Sequence, residues 1–258
     1  MNSNSNPRIA ALRTEWDSLS QENAFHYIKS VKDHWREDEF LQSGEDDVAK
    51  LVDPFLARVG FDPRGMTMLE IGCGVGRMSF AFARRFAKVE AADISSEMVM
   101  RATRYQQRLE IPNLQFQVVS GQDLSQYPDK SVDLCFSYIV LQHIPDISVI
   151  LNYVLEMGRV LKDGGIALFQ VNGFYRVKLP RGYFLYWGIC ETGRLRKWRV
   201  ESRPCLRFGK LNSWDGVPIS VDELTRTSQA AGLGALQFSG VGTQYMWMSG
   251  KKLPARSL

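Results

Sequence analysis

The sequence predicts an α/β fold: a doubly wound, mostly parallel seven-stranded sheet whose last strand is antiparallel. Three observations carry that prediction. Strand-like and helix-like stretches alternate from residue 66 to residue 171 at the spacing of strand–helix–strand units. The first strand runs straight into three glycines at every second position, Gly72, Gly74 and Gly76. Two short-linked strands, 235–241 and 244–249, follow at the end and read as an antiparallel hairpin.

A chain of 258 residues accommodates one large domain, or a domain with a lid. No apolar run reaches the roughly 18–20 residues needed to span a bilayer. Residues 1–8 are polar and lack a hydrophobic signal region, so the expectation is a cytoplasmic protein. Cys73, Cys135, Cys190 and Cys205 show neither Cys-x-x-Cys pairing nor histidines at zinc spacing, so no metal site is expected.

In chain order, residues 1–12 read as a frayed polar leader. A helical stretch at 14–43 carries Trp16, Phe25, Tyr27, Trp35 and Phe40, which either pack onto the main domain or roof its site. A second helix, 45–59, gathers Val48, Leu51, Val52, Phe55 and Leu56 on one face, with Pro54 marking a kink or break. These elements make a predicted N-terminal helical cap, 1–62, on a main domain of 63–258.

The turn Asp62-Pro63-Arg64-Gly65 opens that domain. Strands are predicted at 66–72, 88–94, 114–119, 131–139 and 166–171, with helices at 76–86, 95–109, 145–161 and 220–231. Ser95 is placed to cap the second of these helices, and Ser220 with Glu223 forms a capping box on the last. Lys162-Asp163-Gly164-Gly165 and Gly232 supply glycine stops.

Residues 173–216 interrupt the rhythm. They hold ten Lys/Arg against three acids, in a chain of net charge +4, so the remainder is slightly acidic. Aromatic residues interleave with the arginines, and the segment reads as an insertion folded over the sheet's carboxyl edge. Such a segment binds an anionic acceptor, stacks on RNA bases or sits on an acidic membrane surface, or else is a solvated lid.

In an open parallel sheet the ligand lies beyond the carboxyl ends of the strands. The first strand brings Glu70 and the glycine loop there, and the second brings Asp93, 17 residues after Gly76. The third ends in Ser120-Gly121-Gln122-Asp123-Leu124, the fourth in Ser137 and Tyr138 followed by Gln142 and His143, and the fifth in Asn172. A carboxylate such as Asp93 accepts both hydroxyls of a ribose, or caps the following helix. The third glycine falls one residue early for the Gly-x-Gly-x-x-Gly dinucleotide fingerprint. An unperturbed histidine has a pKa near neutrality, so His143 is either a general base or a hydrogen-bonded structural histidine.

Leu-Glu-Ile-Gly-Cys-Gly-Val-Gly-Arg, then Asp93, then Asp-Leu-Cys-Phe-Ser-Tyr-Ile-Val-Leu-Gln-His-Ile-Pro-Asp, then Leu-Lys-Asp-Gly-Gly, resembles the class I S-adenosylmethionine-dependent methyltransferases. The likeness covers residues 66–172 and lies nearest the small-molecule branch that includes the quinone-biosynthesis type. It implies a Rossmann-like fold, S-adenosylmethionine as donor and S-adenosylhomocysteine as product. Gly72, Cys73, Gly74 and Gly76 would then meet the methionine portion, with Glu70 supporting the loop or the cofactor's amino group. Asp93 would hold the ribose, Ile94 would pack on the adenine, and Gln122, Asp123 and Leu124 would form its turn.

Ser137 and Tyr138 would flank the cofactor, and His143 would face the transferred methyl group. The expected acceptor is a small metabolite, anionic or lipophilic, met by Trp16, Tyr27, Trp35, Gln142, Asn172 and Arg176. Two other functions compete: a nucleic-acid methyltransferase using the basic insertion, and a cofactor-binding module without turnover. The first is disfavoured because the fourth strand ends Phe-Ser-Tyr-Ile, not Asn/Asp-Pro-Pro-aromatic. Neither the acceptor atom, O, N, S or C, nor the oligomeric state is specified by these motifs.

Overall fold

Strand β1 (Thr67–Ile71) lies inside a seven-stranded sheet in the computed structural model, which describes residues 6–173 and 216–254 and the backbone of three short strands between them. On one side of β1 come β2 (Lys88–Asp93) and then β3 (Leu114–Val118); on the other come β4 (Val132–Ser137) and β5 (Leu161–Val171). All five run parallel. The three short strands, β6 (Tyr175–Lys178), β7 (Phe184–Ile189) and β8 (Leu195–Trp198), pair antiparallel as a separate sheet. The hairpin of β9 (Leu233–Ser239) and β10 (Met246–Lys252) completes the main sheet, with β10 inserted between β5 and β9 and antiparallel to both.

Successive residues of a strand point to opposite faces, and the two cores follow from that. Leu69 and Cys135 face a layer made by α6 (Ile147–Val160) and α7 (Val221–Ala230). Met68, Leu134 and Phe136 face α3 (Asp53–Arg58) and α4 (Ser79–Ala83). Both predicted serine caps are present: Ser95 Oγ accepts from Met98 N–H at 3.1 Å at the start of α5 (Ser96–Arg108), and Ser220 Oγ accepts from Glu223 N–H at 3.1 Å.

The N-terminal region departs from expectation. Helix α1 (Pro7–Ile28) starts well before residue 14, because Asn6 caps it and Ile9 and Leu12 are buried. It kinks at Asn23 and stops before α2 (Glu37–Asp47). A π-helical turn, Val48–Val52, joins α2 to α3, where Pro54 sits in the first turn and costs no hydrogen bond. The fifth strand begins at Leu161 and carries Lys162-Asp163-Gly164-Gly165 as a bulge, the register stepping from Val132↔Leu161 to Leu134↔Ile166.

Helix α1 crosses the carboxyl edge of the sheet. Arg13 Nη2 donates to the carbonyls of Val119 and Ser120 at 2.9 and 3.1 Å. Asp17 Oδ1 accepts from Ser95 Oγ at 2.6 Å and Glu97 N–H at 3.2 Å, and Asn6 Nδ2 donates to Asp146 at 2.9 Å. The helix thereby touches the turns after β3, β2 and β4. Among the described residues, no helix is long and apolar enough to cross a membrane.

Candidate active site

A cavity of about 400 Å³ lies beneath α1 at the carboxyl ends of β1, β2 and β4. Strand order reverses at β1, the position where open α/β sheets hold ligands. Glu70, Gly72, Cys73, Gly74, Asp93, Ile94, Tyr138, Gln142, His143 and Asn172 all line it, with Trp16 and Tyr27 from α1.

The three loop glycines have φ of 80°, 55° and 89°, the left-handed region that side chains disfavour. They do different work. A Cβ on Gly72 would stand 2.1 Å from Val140 Cγ2, and one on Gly74 would stand 2.7 Å from Ile28 Cδ1. Gly76 does not line the cavity; a Cβ there would meet Phe116 and Phe80 at 2.8 and 2.9 Å, so it serves the packing beneath the loop.

Asp93 ties the site together. Its Oδ2 accepts from Gly74 N–H at 2.8 Å and its Oδ1 from Ser95 N–H at 2.9 Å. Each oxygen keeps a further lone pair. Burial raises its carboxyl above the ordinary value, against the pull of the Ser95 and Gly74 amides. Burial and the neighbouring carboxyls push the Cys73 thiol well up, which makes it an apolar part of the wall.

Glu70 is buried and accepts from Ser79 Oγ at 2.5 Å. Burial pushes its carboxyl from 4.5 up to about 8, outweighing the Ser79 hydrogen bond and the Arg77 charge. Below 4.5 the folded and unfolded chains both hold this proton; between 4.5 and about 8 only the folded chain does. The stability associated with it is therefore lost as pH rises through that window. Glu70→Gln cannot ionise, so its melting temperature should climb progressively above wild type from pH 4.5 to about 8. Parallel melting curves at every pH would mean that Glu70 does not hold the proton.

At another part of the wall, His143 is 8% exposed and meets Trp16 edge-on, ring centroids 6.1 Å apart. Gln142 has its Oε1 buried with no hydrogen-bond partner among the described residues. Ile139, a β-branched residue, is held at φ 55° where β4 turns into the cavity, which is backbone strain at the site. Tyr138 stacks on Trp247, centroids 5.4 Å apart and nearly coplanar at 9°.

Other expected site residues stand elsewhere. Trp35 packs edge-on against Phe40 and donates to Lys29 O at 2.9 Å, so it belongs to the cluster between α1 and α2. Gln122, Asp123 and Leu124 do not line the cavity. Asp123 accepts from Ser125 and Ser120 within its own turn, Gln122 O accepts from Asn152 at 2.8 Å, and Leu124 is fully buried in the core. Gly121 faces the cavity in their place, at φ 82° and pressed against Ile94. Ser137 is buried below the cavity, its Oγ donating to Ile71 O at 3.0 Å. The side chain of Arg176, like most of segment 173–216, lies outside the described residues.

Sequence reasoning missed Lys29, Asp47, Arg77, Val140, Gln244 and Tyr245, all of which line the cavity. Only Arg77 carried a signal, directly after the glycine loop. A Cβ on Gly44 would stand 1.9 Å from Arg77 O, so α2 rests directly on that loop. Among the described residues, no cluster of side chains could hold a metal ion.

Residues 69–169 match the family model of a methyltransferase domain. The chain is 26% identical to a ubiquinone biosynthesis O-methyltransferase of Xanthomonas oryzae pv. oryzae, over 77% of this chain and 83% of that protein. It shares the fold of magnesium protoporphyrin IX methyltransferase from Synechocystis with bound S-adenosylmethionine, at TM-score 0.59 and 15% identity over 98% of this chain and 100% of that one. It shares it also with Haemonchus contortus phosphoethanolamine N-methyltransferase 1 in complex with phosphoethanolamine and S-adenosylhomocysteine, at TM-score 0.62 and 16% identity. There the match covers 100% of this chain but 51% of the other, about half its length. A switch-point cavity with a glycine loop and a strand-end carboxylate, on this fold and with this domain match, makes the chain a class I S-adenosylmethionine-dependent methyltransferase.

Proposed function

We propose that the enzyme methylates an oxygen of a small hydroxylated aromatic metabolite, with His143 accepting the hydroxyl proton. The observation that carries this reading is one cavity that joins the glycine loop and Asp93 to the Trp16–His143 pair. Its volume of about 400 Å³ suits a small ligand. The similar ubiquinone biosynthesis O-methyltransferase supports oxygen as the acceptor atom and a small molecule as substrate.

S-adenosylmethionine, when bound, supplies a methyl group on an electrophilic sulfonium. The residues present fit it: the glycine loop and Asp93 line one cavity, and Asp93 keeps lone pairs for ribose hydroxyls. In this reading Ile94 and Gly121 flank the adenine, and Gly72 and Gly74 take the methionine portion. What the chain must add is alignment, exclusion of water and a place for the proton. Residues 1–62 act as a cap on the transferase domain 63–258, α1 shielding the cavity from solvent. His143 Nε2 or Nδ1 takes the proton as the hydroxyl oxygen attacks. Cytoplasmic operation belongs to the same reading and is supported by the free, buried thiols of Cys73 and Cys135.

A turnover screen over phenols, carboxylates, amines and thiols tests the acceptor class, with O-methylated phenol as the expected product. His143→Ala should lower kcat by about 10²–10⁴-fold, the usual contribution of a general base. Its S-adenosylhomocysteine affinity should stay within about twofold. A kcat within a few-fold of wild type would remove His143 from the proton transfer.

A further inference from the structure

Helix α6 lies along the turn that follows β3. Asn152 Nδ2 donates to Gln122 O at 2.8 Å, Glu156 Oε2 accepts from Leu124 N–H at 3.1 Å, and Arg159 Nη2 donates to Leu124 O at 2.9 Å. Tyr153, next to Asn152, lines the cavity and is 3% exposed. Its hydroxyl makes no hydrogen bond with any described residue. Burial raises the phenol above its ordinary pKa, and the charges of Asp123 and Asp93 add to that. The hydroxyl is therefore neutral, with both a proton to donate and lone pairs to accept. A buried hydroxyl without a partner is costly, and a ligand's polar group removes that cost.

The order of the strands says which part of the donor comes to this hydroxyl. Away from the glycine loop the sheet runs β1, β2, β3. A donor with its methionine portion at the β1 loop and its ribose on Asp93, at the end of β2, carries its base on to the turn after β3. There Leu12, Ile94, Met98 and Val119 make an apolar wall, which suits the faces of a purine but not its amino group. Acceptors of the turn are already engaged. Val119 O and Ser120 O accept from Arg13 Nη2, Gln122 O from Asn152, and Asp123 Oδ1 from Ser120 and Ser125. Among the described side chains at this end of the cavity, Tyr153 keeps an acceptor in reserve.

We propose that the Tyr153 hydroxyl accepts a hydrogen bond from the exocyclic amino group of the donor's adenine, so that a residue of α6 selects the base. This inference rests on the placement of the adenine by Ile94 and Gly121 and supplies the polar contact that those two residues do not. It is independent of the acceptor and of the part played by His143.

The test is calorimetric titration of the whole protein with S-adenosylhomocysteine and with its counterpart in which hydrogen replaces the adenine's amino group. Wild type should bind S-adenosylhomocysteine about fivefold or more tightly than that counterpart, the scale of one neutral hydrogen bond. Tyr153→Phe keeps the ring and should erase the preference, while the melting temperature of the unliganded variant matches wild type. Tyr127→Phe is the control. Its hydroxyl is also buried without a partner among the described residues but does not line the cavity, so that variant should keep the preference. Asp93→Asn should weaken both ligands by the same factor, since the ribose is common to them. Equal affinity of wild type for the two ligands would overturn the proposal. So would a preference that survives Tyr153→Phe, which would hand the amino group to another acceptor such as Gly121 O. The two readings fail separately. Binding of neither ligand would sink the donor placement together with the contact, whereas both ligands binding alike would sink the Tyr153 contact alone.

Discussion

Asp93→Ala is expected to weaken S-adenosylhomocysteine binding by at least about 100-fold, the largest effect of any single side chain in the cavity. The carboxylate accepts from the Gly74 amide of the loop and the Ser95 amide at the start of α5, at 2.8 and 2.9 Å. Alanine leaves both donors buried and unpaired, at about 1–3 kcal/mol each, and removes the acceptor proposed for the ribose. Asp93→Asn keeps the volume and one acceptor oxygen, so its loss should be intermediate. Calorimetry against His143→Ala gives the comparison, since His143 is assigned to the proton and not to the donor. Equal losses in the two alanine variants would mean the donor is misplaced within the cavity.

Gly72→Ala should abolish turnover and lower stability by about 2–4 kcal/mol, combining backbone strain with overpacking. At φ 80° alanine is strained whatever its surroundings, and its Cβ would stand 2.1 Å from Val140 Cγ2. Val140 cannot easily give way, because the preceding Ile139 is itself held at φ 55°. Adding Val140→Ala removes the clash but not the strained φ, so the double variant should recover part of the lost melting temperature and little of the activity. A Gly72→Ala protein that melts like wild type would show that the loop rearranges at no cost.

Much of the sheet could be read from residue order because its determinants are local. Alternating faces in Met68–Leu69 and Leu134–Cys135–Phe136, the Ser95 and Ser220 caps and the glycine turn each depend on neighbours within a few positions. The errors fall where local signals compete. The glycines at 164 and 165 read as a helix stop, yet pairing with β4 draws them into a bulged strand. Residues 1–12 read as a polar leader, yet burial of Ile9 and Leu12 recruits the stretch from Pro7 into α1.

The sequence by itself determined the parallel α/β sheet, the glycine loop and the carboxylate at the end of β2, because periodicity and turn chemistry act over short stretches. Only the tertiary structure decided that Gly76 serves packing, that Gly121 faces the cavity, and that α1 roofs it through Arg13 and Asp17. The same holds for the meeting of Lys29, Asp47 and Arg77. A charged residue on a polar helix has the same local signature whether it faces water or a cavity. The difference lies in which distant segment packs over it, and short-range patterns carry no term for that.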